Sequence, residues 1–108
     1  MAISFDEFKR IEIKIGTVRS AERVPDAEKL LRLEVDLGEG MPRQILSGIA
    51  DYVLPEDLVG RQFPFITNLE PRVIRGLVSN GMLIAVGEGD AFALLSPTRL
   101  IDPGSRLR

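Results

Sequence analysis

The chain has 108 residues, the usual size of one domain, and its 44% apolar and 28% charged residues are typical of a folded globule. It has no cysteine and no histidine, which excludes disulfides, Cys or His catalysis and zinc sites built on these residues, and leaves only a carboxylate metal site open. Its 14 basic and 16 acidic residues give a net charge of −2, which argues mildly against a nucleic-acid partner.

The N-terminal segment begins with a helix signal. Ser4 and Glu7 have the spacing of a capping box, which predicts a short helix whose Phe5 and Phe8 share its inner face. Acidic residues stand where a secretory signal would have basic ones, and no apolar run reaches the roughly 18 residues that a membrane span needs. We therefore expect a cytoplasmic protein without membrane contact, with residues 1–108 forming a single domain.

Alternating apolar residues predict several short β-strands. The first begins at Ile11, with Gly16 predicting a bulge or bend in it. A turn over residues 24–27 precedes the clearest strand, 29–37. The later elements are a strand over 43–49, a short helix or 3₁₀ turn from Pro55, strands over 61–69 and 81–86, and a shorter strand over 91–95. This order predicts a small all-β barrel or sandwich, and the single helix between the third and fourth strands is the arrangement of an OB-fold.

Six sequence blocks together resemble one known family. They are Glu12-Ile13-Lys14-Ile15-Gly16, Asp26-Ala27-Glu28-Lys29-Leu30, Gln44-Ile45-Leu46-Ser47-Gly48-Ile49, Pro55-Glu56-Asp57-Leu58-Val59-Gly60-Arg61, Asn68-Leu69-Glu70-Pro71-Arg72, and Arg75-Gly76 with Ser79-Asn80-Gly81-Met82. Their order over residues 8–107 resembles the tRNA-binding domains found at the C-terminus of many methionyl-tRNA synthetases and as free-standing dimeric proteins. The resemblance implies a five-stranded OB-fold barrel with a short N-terminal helix and a C-terminal extension of short strands. It also implies a tRNA-binding module without catalytic activity, cofactor or bound metal.

Two groups of side chains are candidates for contacts with RNA. Lys14, Lys29 and Arg32 are predicted to form a basic strip on one sheet face, for which the alternative is an ordinary solvated surface. The second group combines hydrogen-bonding groups, cations and a soft apolar side chain in one predicted loop: Asn68, Arg72, Arg75, Ser79 and Met82. The alternatives there are a turn held by Asn68 and a core position for Met82. In the family, RNA binding is associated with the equivalents of Lys29, Arg32, Asn68, Arg72, Ser79 and Met82.

Four positions depart from the family pattern. The family usually has Arg where Lys14 stands, a basic residue near Val73, an acid at Val78 and often Gln at Asn80. The missing basic residue weakens the phosphate patch, so we expect modest affinity. Because the chain has no Trp, stacking on aromatic rings is not expected to dominate.

The resemblance also predicts the partners. Free-standing members are homodimers, and here the pairing segments would be the N-terminal helix and residues 91–101, whose apolar side chains exceed the needs of one small barrel: Phe92, Leu94, Leu95, Leu100 and Ile101. Met1, the capping box and the ending in residues 103–108 predict a complete module, for which the alternative is a fragment of a synthetase. A methionyl-tRNA synthetase is then either the partner or the parent protein.

Three rival interpretations remain at this point. The first is a dimeric secretion chaperone on the same fold, although that branch typically differs in the segment that here reads Asp26-Ala27-Glu28-Lys29-Leu30-Leu31. The second is a general binder of single-stranded DNA, which the few aromatic residues and the acidic total disfavour. The third is an enzyme, for which the sequence offers no nucleophile–base pair, metal cluster or phosphate loop.

Overall fold

The protein is built from one short helix and nine β-strands. A computed structural model describes all 108 residues. Helix α1 covers Phe5–Lys9, and two 3₁₀ turns cover Pro55–Asp57 and Gly89–Ala91. The strands are β1 (Ile13–Val24), β2 (Ala27–Asp36), β3 (Arg43–Ser47), β4 (Gln62–Ile66), β5 (Arg72–Ile74), β6 (Leu77–Ser79), β7 (Met82–Leu83), β8 (Ala85–Val86) and β9 (Ala93–Leu94). None of the helices has the length and apolar character needed to cross a bilayer.

Five strands form one antiparallel sheet in the order β3-β2-β1-β4-β7. The alternation along β2 buries Leu31, Leu33 and Val35, which pack with Phe63 and Phe65 of β4 in the main core. The 3₁₀ turn lies between β3 and β4, where the sequence predicts it. The predicted OB architecture, with its N-terminal helix and its short C-terminal strands, is therefore confirmed.

The seam between β3 and β7 is closed by individual contacts rather than by a regular ladder. The Asn80 N–H donates to the Gln44 carbonyl oxygen at 2.8 Å, and the Gln44 side-chain amide donates to the Val78 carbonyl oxygen at 2.9 Å. Arg43 donates from Nε and Nη2 to both carboxylate oxygens of Glu39, at 2.8 and 2.7 Å, and from Nη1 to the Thr67 carbonyl oxygen at 2.7 Å. Arg43 thus joins the start of β3 to the end of β4.

Strand β1 runs without interruption through Gly16. The predicted bulge at Gly16 is wrong, because the register with β4 is regular there and shifts instead between Val18 and Ser20, in the pairing with β2. A Cβ atom at Gly16 would lie 2.4 Å from Val35 Cγ1. Gly16 is therefore needed for close packing against β2, not for a bend.

The two ends of the chain lie together beside the first half of β1. The Ile15 N–H donates to the Ser105 carbonyl oxygen at 2.8 Å, and the Leu107 N–H donates to the Ile13 carbonyl oxygen at 2.8 Å. Arg106 Nη2 donates to the carbonyl oxygen of Lys9 at 2.9 Å, at the end of α1. The C-terminal segment therefore serves as an extra strand at this end of the barrel.

The predicted capping box of α1 is confirmed. Ser4 Oγ accepts the Glu7 N–H at 3.1 Å, and the Glu7 carboxylate accepts the Ser4 N–H at 3.0 Å. Phe5 and Phe8 lie on one side of the helix with ring centroids 6.5 Å apart, but both are exposed. The chain leaves much of the face that the sequence predicts to be inner open, with Phe5 72% and Phe8 36% exposed.

We expect Arg43→Ala to lower the free energy of unfolding by about 2 kcal/mol, because it leaves Glu39 and the Thr67 carbonyl group without their partner. Urea unfolding followed by circular dichroism measures this. The control is Arg19→Ala, which breaks the more exposed ion pair with Asp36 and should cost about 0.5 kcal/mol or less. Equal losses in both variants would contradict a special role for Arg43 in closing the barrel.

Candidate nucleic-acid interface

Two hairpins meet at the end of the barrel far from the chain termini. The first joins β1 and β2, whose tip extends beyond β3 and β4. The second joins β5 and β6, in the segment that the sequence analysis treats as a loop. A small apolar cluster separate from the main core holds them together; it contains Val24, Ala27 and Leu46 with Leu30, Ile74 and Leu77 packed against it. The second hairpin thus docks on the first hairpin and on β3 through half-buried apolar side chains.

Both hairpin turns contain a non-glycine residue with positive φ. Pro25 is followed by Asp26 at φ 61°, the pattern of a type II turn, and the predicted turn at residues 24–27 is confirmed. Arg75 and Gly76 have φ angles of 52° and 78°, as a two-residue type I′ turn requires. Arginine, unlike glycine or asparagine, rarely adopts the left-handed region, so this conformation of Arg75 costs about 1–2 kcal/mol. Such a residue at an exposed tip suggests a functional role for its side chain.

The two tips enclose an open cavity of about 480 Å³. Its lining residues are Asp26, Ala27, Glu28, Lys29, Leu30 and Arg75. Two of the candidate cations, one from each hairpin, therefore share a cavity with two carboxylates. No cluster of three or more acidic, His or Cys side chains that could hold a metal ion occurs in the structure.

Four cations near these tips have no carboxylate within 4.0 Å. They are Arg23, Lys29, Arg72 and Arg75, and all four are exposed. Arg23 is not among the residues selected from the sequence. Arg23 directly precedes the predicted turn at residues 24–27, and this position is the sequence signal that identifies it. We call these four residues the hairpin cations.

The other two basic candidates are engaged in ion pairs. Arg32 pairs with Glu22, its register partner on β1. Lys14 Nζ lies 3.3 Å from Glu12 Oε1. Lys14 and Glu22 are eight residues apart on the same strand, a separation of up to roughly 26 Å at about 3.3 Å per residue. The structure therefore does not bring Lys14 together with Lys29 and Arg32 in one strip.

Glu12 is the centre of a polar network near the chain termini. Its Oε1 accepts a hydrogen bond from Thr67 Oγ1 at 2.6 Å. This hydrogen bond, followed by the contacts with Lys14 and the positive charge of Arg106, holds the pKa of the Glu12 carboxyl below its usual range. Lys14 is thus part of a structural ion pair.

Asn68 and Ser79 form their main hydrogen bonds within the fold. Asn68 Oδ1 accepts the Glu12 N–H at 2.8 Å and Nδ2 donates to the Arg10 carbonyl oxygen at 2.7 Å. Ser79 is buried; its hydroxyl accepts the Leu46 N–H at 3.0 Å and donates to the Gly81 carbonyl oxygen at 3.1 Å. These contacts favour the turn-holding alternative for Asn68 and a similar structural role for Ser79.

Met82 lies on the outside of the barrel. It pairs with Ile66 in the short β4–β7 ladder and is exposed, whereas its neighbour Leu83 belongs to the main core. The core alternative for Met82 is therefore wrong. Of the second predicted group, Arg72, Arg75 and Met82 are exposed and open to a ligand.

A comparison with known families decides the assignment. The family model described as "Putative tRNA binding domain" matches residues 13–106, which include both hairpins and the barrel. The chain belongs to the tRNA-binding domain family. The resemblance inferred from the six sequence blocks is confirmed.

Relatives of this tRNA-binding domain include methionine–tRNA ligases. The ligase of Helicobacter pylori (strain ATCC 700392 / 26695) is 50% identical over 97 residues, which are 90% of this chain and 15% of the ligase. The ligase of Methanoregula boonei is 47% identical over 106 residues, 98% of this chain and 16% of the ligase. The chain therefore spans about one sixth of the length of these relatives.

Solved structures share the fold over the whole tRNA-binding domain. The MetRS related protein from Pyrococcus horikoshii superposes with a TM-score of 0.92 at 36% identity, covering 100% of this chain and 99% of the other. The chaperone CsaA from Bacillus anthracis gives a TM-score of 0.88 at 30% identity, covering 100% of both chains. The same fold therefore occurs in a protein named as MetRS related and in a protein named as a chaperone.

We expect the stability of the domain to fall as the pH drops from about 5 to about 3. The pKa values of Glu7, Glu12 and Asp36 lie below their usual values, through hydrogen bonds from Ser4, Thr67 and Gly38 respectively. As the pH falls, the unfolded chain binds these protons before the folded chain does. The stabilisation by the three carboxylates is therefore complete above their pKa in the unfolded chain. It is lost as the pH falls through their lower pKa in the folded chain.

Melting temperatures between pH 7 and pH 3 measure this effect. Glu12→Gln should flatten the profile, whereas the control Glu34→Gln, at an exposed carboxylate of β2 without an ion pair, should leave its shape unchanged. A wild-type profile that is flat down to pH 3 would refute the expectation.

Proposed function

We propose that this chain binds tRNA through the hairpin cations, mainly by contacts with backbone phosphates and by fit to the shape of the RNA. The observation that carries the proposal is that Lys29 and Arg75, from two different hairpins, line one cavity without a carboxylate partner. In a member of a tRNA-binding family, exposed cations without a carboxylate partner are available to backbone phosphates. It also joins the two loop regions that OB-folds use for oligonucleotides.

The pairing state of the cations favours phosphate binding at the tips. A phosphate can approach Arg23, Lys29, Arg72 or Arg75 without breaking an existing ion pair, whereas at Arg32 it has to compete with Glu22. Asp26 and Glu28 line the same cavity and repel a polyanion, as does the net charge of −2. Modest affinity at a single site follows from this balance.

We expect Arg72→Ala/Arg75→Ala to weaken binding to all tRNAs by similar factors. If each Arg contacts one phosphate, the plot of log affinity against log salt should become shallower by about two counterions in the double variant. Mobility shifts at several salt concentrations measure both quantities. The control Arg61→Ala/Arg99→Ala removes the same charge from exposed positions outside the hairpins. An unchanged affinity and slope in the Arg72/Arg75 variant would assign both residues to a solvated surface.

The same assay with single-stranded DNA of equal length tests the choice of nucleic acid. We expect mixed tRNA to bind more tightly at low salt, because a folded RNA presents its phosphates in a fixed arrangement. Equal or tighter binding of the DNA would overturn the tRNA proposal.

We further propose that the chain catalyses no reaction itself and assists a methionine–tRNA ligase, as a separate subunit or as part of the longer protein. Support comes from ligases at 47% and 50% identity that contain a region similar to this chain. The chaperone CsaA is 30% identical to this chain, less than the ligases, so we rank the chaperone interpretation second. A tRNA partner is consistent with the cytoplasmic location expected from the sequence.

A two-fold dimer is part of the proposal. Phe5, Phe8, Ile11 and Leu107 line one open cavity of about 370 Å³, and Leu107 also lines the next cavity with Leu95. We call this exposed apolar region the terminal face. It lies at the end of the barrel that holds the chain termini, so pairing there leaves the hairpin cations free. Two RNA sites on one dimer would raise the avidity for a single tRNA by roughly 10².

Several side chains predicted from the sequence to pair across the dimer are used within the chain instead. Phe92 stacks on Tyr52 at 4.5 Å between ring centroids, and Leu94 packs against the main core. Ile101 is half-buried and its backbone binds the Gln62 side chain. Leu95 and Leu100 remain exposed, which makes Leu100 a better position than Leu94 for disrupting a dimer.

We expect Phe5→Glu/Leu100→Glu to produce a folded monomer with roughly 10²-fold weaker binding to tRNA. Glutamate is favourable in the first turn of α1, so the helix should persist. The control Met41→Glu places a charge at an equally exposed site on the β2–β3 loop, since Leu100 and Met41 are 81% and 80% exposed. Light scattering and a tRNA titration on the same samples measure both effects. A wild-type chain that is monomeric at micromolar concentration, or a monomeric variant that retains full affinity, would contradict the proposal.

A further inference from the structure

The outer face of the β5–β6 hairpin carries an apolar pair that the fold does not use. Val73 and Val78 lie directly opposite each other in the register of this hairpin. They are 73% and 47% exposed, whereas Ile74 and Leu77 on the other face pack against the small apolar cluster. The hairpin is therefore anchored through one face only. A β-branched pair supports the strand conformation, but Thr would do this equally well, so strand geometry does not explain the apolar character.

Cations flank this pair on the same hairpin. Arg72 precedes Val73 on β5, so its side chain leaves from the opposite face of the strand. Arg75 occupies the turn, where its side chain is held at the tip despite an unfavourable φ of 52°. Neither has a carboxylate within 4.0 Å. An apolar patch of two side chains is too small for a stable protein interface, which buries about 800 Å² on each partner. The patch does match the face of one nucleobase, and the positive charge of Arg75 at the adjoining turn matches a phosphate of the same strand.

We infer that Val73 and Val78 form the contact surface for an unpaired nucleobase of the bound RNA, with Arg75 at the turn holding an adjacent phosphate. This inference rests on the proposed tRNA function and deepens it. A base in a duplex is stacked on both sides and cannot offer its face, whereas a base in a loop can leave water for the valine surface. Both valines are β-branched and restricted at χ1, so they lose little side-chain freedom on binding. The hairpin thereby selects RNA with unpaired nucleotides, without reading a particular sequence.

The test uses the full chain carrying Val73→Thr/Val78→Thr, which keeps the β-branched shape and adds hydroxyl groups. The probes are mixed tRNA, an RNA stem with an unpaired loop, and a fully paired RNA duplex of the same length. We expect about fivefold to tenfold weaker binding to the tRNA and to the looped RNA, with unchanged binding to the duplex. The salt dependence should stay as in the wild type, because no phosphate contact is lost.

The control Val59→Thr/Val86→Thr alters two valines outside the hairpin that are 48% and 46% exposed, close to the 47% of Val78, and should bind like the wild type. Val73→Trp provides an opposite test, because a larger flat surface should tighten binding to the looped RNA. Wild-type affinity of the Thr variant for looped RNA, an equal loss on the duplex, or a change in oligomeric state in light scattering would each overturn the inference. A wild-type chain that binds no tRNA would overturn the proposed function instead.

Discussion

The length of β1 is the constraint on which the rest of the structure depends. Its first half pairs with β4 and with the C-terminal segment, and its second half pairs with β2. No single partner covers the whole strand, so the β1–β2 tip extends beyond the barrel. The extension exposes apolar residues of the tip, and the β5–β6 hairpin covers them through Ile74 and Leu77. The same packing that protects this apolar surface places cations from two hairpins side by side.

Ion pairing separates the hairpin cations from several cations that hold the barrel together. Near the barrel, Arg43 and Lys14 are held by carboxylates and hold other elements in place. At the hairpin tips, the cations lack such partners and lose little by binding an anion. This difference gives an acidic domain a surface for a polyanion, because the hairpin cations are not paired with its acidic residues. The distribution of partners thus matters more than the net charge.

The sequence predicted the elements whose pattern is local. The alternation in β2, the capping box at Ser4 and the turn at Pro25 each depend on residues within a few positions, and the structure confirms them. The β5–β6 hairpin was missed because its strands have three residues each, too few for a visible period, and its Arg75-Gly76 turn lacks the usual Asn-Gly signal. The internal roles of Asn68 and Ser79 depend on partners 56 and 33 residues away, which no local pattern reveals.

The left-handed backbone of Arg75 sets stability and recognition against each other at one position. Glycine would adopt the observed φ of 52° without steric cost, and it would remove the cation that faces the shared cavity. Selection for thermal stability alone would therefore favour the loss of this side chain, whereas the phosphate contact proposed for Arg75 requires it. Laboratory evolution of this domain toward heat resistance would consequently be expected to erode its site from the tip of the hairpin inward.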